Sequence, residues 1–428
     1  MLIKKCKLTF GIMALLLLVG CTTTPPTDIT STVEDIATAT ATLVPTQTNT
    51  PTPKGPISLT IWVPPEFDPA SDSPGADILQ AQLDEFTARR TDTEIVVRVK
   101  AIEGSGGLLE SLTTASAAAP SALPDLVAMP RHLLEVAAIK GLLHPYSDQA
   151  NLVEGSDWYD YAIELGHLQQ STFGLPFAGD PMLLVYRTTS IEEPPTTYSA
   201  TLTTPGQLSF PAADPQALYP IALYQADGGE ILDEQERPSL DQEVLQGVYE
   251  FFSAGAVAKL IPTWTTQLQD DEPAWQAFLG NQSEMVVTWA NTYLNEGLAD
   301  TAATHVPTEN GAPYSLADGW VWALANNEPS HQELSNELAE FLTESLFLAR
   351  WTTATGYFPP RPNAMSNWQT TSLRSFAHQI SLSAEVIPPA DILTALGQPI
   401  RDGTIGVINL QLTPDIAAQT AADQVNEQ

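Results

Sequence analysis

From Ile57 onward, strand-like and helix-like patterns follow one another, and this alternation constrains the fold more than any other feature. Ile57–Val63 alternates apolar and polar residues and is stopped by two prolines, which is typical of a strand. A helical stripe follows and ends near Arg90, and Glu94–Ile102 then alternates again. A helix around Leu112, the apolar run 125–129 and a further helix continue the series. The alternation predicts an α/β domain with a largely parallel sheet.

The second half of the chain repeats these patterns. Residues 238–255 carry a helical stripe, while 284–289 and 319–324 are short apolar runs that predict strands. The sequence Ser330-His331-Gln332-Glu333 predicts a capping box at the start of a helix. Thr413-Pro414-Asp415 predicts the start of a closing helix, with threonine as cap and proline at the first position.

The first 21 residues have the organisation of an export signal. A basic head of three lysines precedes the apolar run Ile12–Val19, which is too short to span a bilayer. Leu18-Val19-Gly20-Cys21 resembles the lipobox of bacterial lipoproteins. That resemblance implies cleavage before Cys21, lipidation of its thiol and an extracytoplasmic protein tethered to the cell membrane. An ordinary signal peptide that happens to contain a cysteine is the alternative.

Residues 22–56 are rich in threonine, proline and alanine and contain few large apolar residues. Such a segment cannot bury enough surface to offset its ordering entropy. We expect a disordered linker that holds the following domain away from the membrane.

The two cysteines, Cys6 and Cys21, both lie at the N-terminus, so we expect no disulfide and no cysteine metal site in the mature protein. A length of 428 residues favours two domains. The net charge of -34 argues against nucleic-acid binding. This acidity is consistent with high solubility or with attraction to a cationic ligand, and composition leaves both interpretations open.

Several short motifs occur in the order seen in one known family. They are Ile61-Trp62, 83–87, 123–127, 141–143, 173–187, 226–229, 283–287 and 412–415. In this order, and behind a lipobox, they resemble extracellular solute-binding proteins of family 1. These proteins are the receptors of carbohydrate-importing ABC transporters and include maltose-binding protein. The chain departs from the family at Tyr186-Arg187, where Tyr-Asn is common.

The resemblance implies an α/β fold of the type II periplasmic-binding-protein class, with two lobes, a hinge and a cleft between the lobes. It places the N-terminal lobe at 57–178 plus about 315–360, and the C-terminal lobe at 179–314 plus about 361–428. It further implies a monomer that binds an extracellular solute, closes around it and delivers it to membrane permease subunits. No cofactor or metal is expected.

A sugar site needs flat apolar surfaces for ring faces, and carboxylates, amides or arginine for hydroxyl groups. Placement in the family motifs implies eight candidate ligands: Glu66, Asp180, Tyr219, Tyr224, Trp289, Asn291, Trp320 and Arg361. Arg131 and His132 are weaker candidates. Because Trp320 and Trp322 alternate, we expect one to face the cleft and the other the core. For each candidate, a core position, an ion pair or a solvated loop remains the alternative.

Other functional classes receive less support from the sequence. Motifs such as G-x-S-x-G, H-E-x-x-H and the Walker loop do not occur, and the six histidines lack metal-ligand spacing. We therefore expect no enzymatic activity, and a glycan-acting enzyme is the least favoured alternative. A receptor for a non-sugar solute such as a polyamine remains open. A cationic ligand would lose affinity with added salt, whereas a neutral sugar would not.

Overall fold

A computed structural model describes residues 55–146, 157–326 and 328–427. The predicted signal, Cys21 and residues 22–54 of the predicted linker lie outside this part of the chain. Within the described residues, every helix is too short or too polar to cross a bilayer.

The described residues form eleven strands, fifteen α-helices and three short 3-10 helices. The strands are β1 (Ile57–Val63), β2 (Thr93–Val99), β3 (Leu126–Pro130), β4 (His167–Leu168), β5 (Ser171–Thr172), β6 (Gly174–Arg187), β7 (Leu208–Ser209), β8 (Met285–Trp289), β9 (Thr301–Thr304), β10 (Ser315–Leu324) and β11 (Ala384–Val386). The helices are α1 (Ala76–Arg89), α2 (Leu108–Ala118), α3 (Arg131–Ile139), α4 (Asp160–Gly166), α5 (Tyr198–Thr203), α6 (Leu218–Ala226), α7 (Gln242–Val257), α8 (Asp271–Leu279), α9 (Ala290–Glu296), α10 (Pro329–Phe341), α11 (Ser345–Thr355), α12 (Pro362–Ser366), α13 (Thr371–Leu382), α14 (Ala390–Ile408) and α15 (Pro414–Asn426). The 3-10 helices are Pro65–Phe67, Pro120–Ala122 and Thr263–Gln267.

Apolar periodicity explains most of these elements. In α1 the residues Leu79, Leu83 and Phe86 recur at helical spacing, and each is buried. Helix α15 begins as predicted, with Thr413 as N-cap and Pro414 at the first position.

Helix α10 starts earlier than the predicted capping box. Its N-cap is Glu328, and Pro329 occupies the first turn. Ser330 therefore lies inside the helix, where its hydroxyl donates to Glu328 at 3.2 Å. The proline explains the difference, because its fixed φ favours the first helical position.

The main sheet is mixed, whereas the sequence predicted a largely parallel one. Its strand order is β2-β1-β3-β10-β6-β8-β7, with β11 beside β10 and β9 beside β6. Strand β1 pairs in parallel with β2 and β3, but β10 is antiparallel to β3 and β6, and β6 is antiparallel to β8 and β9. The β6–β10 pair is antiparallel because these strands carry the chain in opposite directions between two cores.

Strand β6 passes through both hydrophobic cores. Leu175 and Phe177 are buried in the first core, and Leu184 and Tyr186 in the second. Asp180 lies between these two groups, on the stretch of the strand that connects the cores.

The two cores underlie the lobes of the α/β fold, and the first core also takes in Ala274, Trp275 and Phe278 of α8. The first core takes in residues of β1, β3, α10 and α11, and the second takes in α6, α7, α14 and α15. Buried residues of α12 and α13, up to Ala384, also belong to the first core. We therefore propose that the N-terminal lobe continues to about residue 386, beyond the limit near 360 expected from the resemblance.

Candidate functional site

Two aspartates lie opposite each other where the chain passes between the cores. Asp180 on β6 and Asp318 on β10 are directly paired in the antiparallel register. Both are partly accessible and line the same cavity of about 400 Å³. This cavity is the candidate site.

The cavity is lined by residues from both lobes. Its ionisable side chains are Glu103, Arg131, His132, Glu135, Asp180 and Asp318. Gln216, Leu218 and Trp289 line the side formed by the second lobe, and Ala390 marks the start of α14. The site is therefore acidic and has one large aromatic ring, an arrangement suited to a polar ligand with an apolar face.

The Asp180 carboxylate is held by a backbone group. Its Oδ1 accepts a hydrogen bond from the Asn291 amide N–H at 2.8 Å. Burial raises the pKa of Asp180 well above its ordinary value; the Asn291 bond opposes this rise, and the charge of Asp318 adds to it.

The Asp318 carboxylate is held in a similar way. Its Oδ1 accepts from the amide N–H of Gly319 at 2.7 Å. Burial raises its pKa as well, against the lowering effect of His132 and Arg131. A raised pKa makes each carboxyl group easier to protonate, and a protonated carboxyl group can donate as well as accept hydrogen bonds.

Arg131 is committed to structural contacts. It is 6% exposed and pairs with Glu135 at 2.8 Å. Its Nη1 also donates to the carbonyl oxygens of Glu164, Leu165 and His167. Arg131 therefore gives the cavity wall its shape but offers few free donors to a ligand.

Glu135 connects the two lobes beside the site. While Oε1 accepts from Arg131, Oε2 accepts from the Ala390 amide N–H at 3.0 Å. This bond joins α3, which packs in the first core, to the N-terminus of α14, which packs in the second. The carboxylate satisfies a free N–H group of that helix end.

Trp289 lies at the end of β8, opposite Met182 in the antiparallel register with β6. It is partly buried against the second core and lines the cavity together with Asp180. The sequence-predicted pair of a stacking ring and a carboxylate thus lies in one cavity.

Glu66 lies near this pair but outside the cavity lining. It belongs to the 3-10 helix that follows β1, and its side chain reaches solvent. Partial burial nevertheless raises the pKa of its carboxyl group. The charge of Glu66 in turn raises the pKa of Asp180 and of Tyr357, which places the three groups within electrostatic reach.

Trp320 and Trp322 both lie in the first core, so the expectation that one faces the cleft is not met. Trp320 is 8% exposed and contacts Phe67 edge-on at 4.8 Å, and Trp322 stacks on Phe177 at 4.6 Å. The physical reason is that residues two apart on a strand point to the same face.

Tyr219 and Tyr224 are buried on α6. The Tyr224 hydroxyl donates to the Glu230 carbonyl and accepts from the Asp241 amide N–H, so it serves the second core. The Tyr219 ring packs against Phe210 at 4.8 Å. Neither tyrosine lines the 400 Å³ cavity that holds Asp180.

Arg361 lies apart from the candidate site. It pairs with Asp157 at 3.3 Å, donates to the Thr343 carbonyl at 2.7 Å and lies over the Trp158 ring at 4.4 Å. It lines a different cavity, between α1 and α10. These contacts give it a structural role in the first lobe.

Asn291 contributes through its backbone. Its amide N–H holds Asp180, while its side-chain Nδ2 donates to the Thr355 carbonyl at 2.8 Å. One N–H of the side-chain amide is therefore engaged by α11, which orients the side chain.

Sequence reasoning missed Glu103, Glu135, Gln216 and Asp318, which all line the cavity. Glu103 follows β2, as Arg131 and His132 follow β3, and the carboxyl ends of parallel strands meet at one edge of a sheet. That rule was the signal for Glu103. Gln216 precedes α6 and carries no comparable pattern.

A family model for bacterial extracellular solute-binding proteins matches residues 81–373, which is more than half of the chain. The chain belongs to this family. The family assignment made from the sequence motifs is confirmed, and it implies a location outside the cytoplasm. No relative of the chain is found among curated proteins.

Solved structures share the fold. A cyclo/maltodextrin-binding protein complexed with maltotetraose has a TM-score of 0.70 at 21% identity, covering 87% of this chain and 97% of that one. The sugar-binding protein MalE of Xanthomonas citri has a TM-score of 0.68 at 17% identity, with 86% and 96% covered. The GacH receptor of Streptomyces glaucescens, described with acarbose, has a TM-score of 0.65 at 17% identity, with 87% and 100% covered. The two-lobed α/β fold with an interlobe cleft is thereby confirmed.

Proposed function

We propose that this protein binds a sugar or short oligosaccharide in the cavity between its lobes. The observation that carries the proposal is a single cavity, lined from both cores, that contains Trp289 and the paired carboxyl groups of Asp180 and Asp318. An indole ring offers a surface for the C–H face of a sugar ring, and the carboxyl groups offer hydrogen bonds to hydroxyls. The sugar ligands of the structural neighbours support the same class of ligand.

The acidic lining favours a cationic solute such as a polyamine as the second candidate. Four carboxyl groups, those of Glu103, Glu135, Asp180 and Asp318, line the cavity. Glu135 is already paired with Arg131, however, and burial raises the pKa of both aspartates. Burial thus disfavours the charged forms of both aspartates, on which attraction to a cation depends, whereas hydrogen bonding to hydroxyl groups needs no charge. We therefore favour the sugar.

A thermal-shift screen separates the two ligand classes. A ligand that binds only the native state stabilises it by about 2.7 kcal/mol at a hundred times its Kd. We expect neutral mono- and oligosaccharides to raise the Tm by several degrees, equally at about 0.05 M and about 0.5 M NaCl. If spermidine alone stabilises the protein, and only at the lower salt concentration, the ligand is a cation and not a sugar.

In the cell, this receptor closes around its solute and delivers it to the permease subunits of an ABC importer. A ligand shifts the open–closed equilibrium only by its difference in affinity for the two states. Residues that contact both lobes, such as those of the cavity, supply that difference. We propose that the protein acts as a monomeric receptor without catalytic activity.

We further propose that Cys21 becomes the lipidated N-terminus, which anchors the receptor to the membrane. The motif Leu18-Val19-Gly20-Cys21 behind a basic head supports this assignment. Replacing Cys21 by serine should release the protein from the membrane fraction and abolish incorporation of labelled fatty acid. A variant that stays membrane-bound, with a mature N-terminus elsewhere, would refute it.

A further inference from the structure

A second cavity adjoins the candidate site along Trp289. It has a volume of about 300 Å³ and is lined by residues between Met182 and Trp289. Gln216, Leu218 and Trp289 line both cavities, so the two spaces share a wall. Typical ligand pockets range from about 300 to 1,000 Å³. Each cavity alone is near the small end of this range, whereas the two together lie well inside it.

The second cavity has the chemistry of a polyhydroxyl site. Gln269 and Asp271 supply amide and carboxyl groups, and Met182 and Trp289 supply apolar surface. The Asp271 Oδ2 accepts from the Thr288 hydroxyl at 2.7 Å, which holds the carboxyl group in place. Hydrogen-bonding groups set among apolar surface are the combination that carbohydrate recognition requires.

Neither cavity presents a basic group suited to an anionic ligand. Among the residues that the structure describes, the lining of the second cavity contains no lysine, arginine or histidine. In the first cavity, Arg131 is paired with Glu135, and His132 lies 3.3 Å from Glu103. A sugar acid would therefore bring its charge next to carboxyl groups, while Arg131 and His132 already contact Glu135 and Glu103.

We propose that the ligand is a neutral oligosaccharide of at least two rings that occupies both cavities, with Trp289 between its first and second rings. This inference rests on the proposed function. It adds the length and the charge of the ligand, and a second subsite that binds it. The sharing of Trp289 by both linings is the observation that carries it.

Calorimetric titration of the full chain tests the length requirement. The probes are malto-, cello-, xylo- and manno-oligosaccharides of one to four rings, with glucuronic acid and cellobiouronic acid as anionic probes. We expect the best disaccharide to bind at least ten times more tightly than its monosaccharide and the acids not to bind. Equal affinity for one and two rings, or binding of the acids, would overturn the inference while the sugar-receptor function stands. If no probe binds, the proposed function itself fails.

A matched pair of variants tests the second subsite. Gln269 lines only the second cavity, and the exposed Gln267 on the neighbouring 3-10 helix lines neither. Gln269→Trp should narrow the second cavity and weaken binding of the best disaccharide at least tenfold, whereas Gln267→Trp should change it less than twofold. Equal affinities of the two variants would contradict the subsite.

A crystal structure with the tightest-binding probe decides the arrangement independently of any substitution. We expect sugar rings on both sides of Trp289, one beside Asp180 and one beside Asp271. A complex with all its rings on one side of Trp289 would overturn the inference.

Discussion

Asp271 shows how a binding surface can oppose stability. It is the first residue of α8, its carboxyl accepts from Thr288 and more distantly from Thr292, and it lines the second cavity. Burial raises its pKa to about 6, although both threonine hydroxyls act to lower it. A carboxyl group whose pKa is higher in the folded than in the unfolded state destabilises the fold once it ionises.

We expect Asp271→Asn to stabilise the protein at neutral pH. Between about pH 4 and pH 6 the folded state holds this proton more tightly than the unfolded state, so wild-type stability falls as the pH rises. The free energy of unfolding of the variant minus that of the wild type should increase by about 2 kcal/mol from pH 4 to pH 7. Urea denaturation across this range measures it. The exposed neighbour Asp270→Asn is the control, and a pH-independent difference for Asp271→Asn would contradict the assignment.

At the scale of elements, one buried carboxylate joins three parts of the first lobe. Asp125, 2% exposed and next to β3, accepts from the Thr60 amide N–H on β1 at 2.6 Å. It also accepts from Asn326 Nδ2 at 2.9 Å, just after β10, and contacts His331 Nδ1 on α10 at 2.7 Å. The carboxylate thus fixes β1, β10 and α10 relative to one another.

Asp125→Ala should destabilise the fold strongly, because it leaves these buried groups without their acceptor. We expect a loss of about 3–5 kcal/mol in the free energy of unfolding, the range for breaking a buried charged network. The control is Glu94→Ala on the exposed side of β2, with a change within about 0.5 kcal/mol. Chemical denaturation measures both. A loss below about 1 kcal/mol for Asp125→Ala would show that the network has little effect on stability.

The strand and helix pattern could be predicted from sequence because apolar periodicity is local. Strand β1, helices α1 and α15, and the elements of the second half form close to where periodicity placed them. The mixed sheet could not be predicted, since the direction of β10 depends on a crossing between lobes.

The candidate site was predicted only in part. Trp289 and Asp180 follow strand and crossover motifs, whereas a partly buried ion pair holds Arg361 and the first core holds Trp320.

At the scale of the whole molecule, β6 and β10 carry the chain between two separate cores, and the acidic pair Asp180–Asp318 lies on those strands. The Glu135–Ala390 hydrogen bond is a further link between the lobes. A ligand bound at this level touches both lobes at once. We propose that the lobes close around the ligand from that position, as in hinge-type binding proteins generally.

The most direct test of this account is the affinity of the tightest-binding neutral saccharide for the wild type and for Trp289→Ala, measured by calorimetry. We expect a loss of about 1–3 kcal/mol in binding free energy, the range for an anchoring ring in a desolvated pocket. The fold should remain intact, as judged by an unchanged circular dichroism spectrum. The control is Trp264→Ala, a partly buried tryptophan that lies outside both cavities and should leave affinity unchanged. A folded Trp289→Ala protein that binds the saccharide as tightly as the wild type would contradict the account.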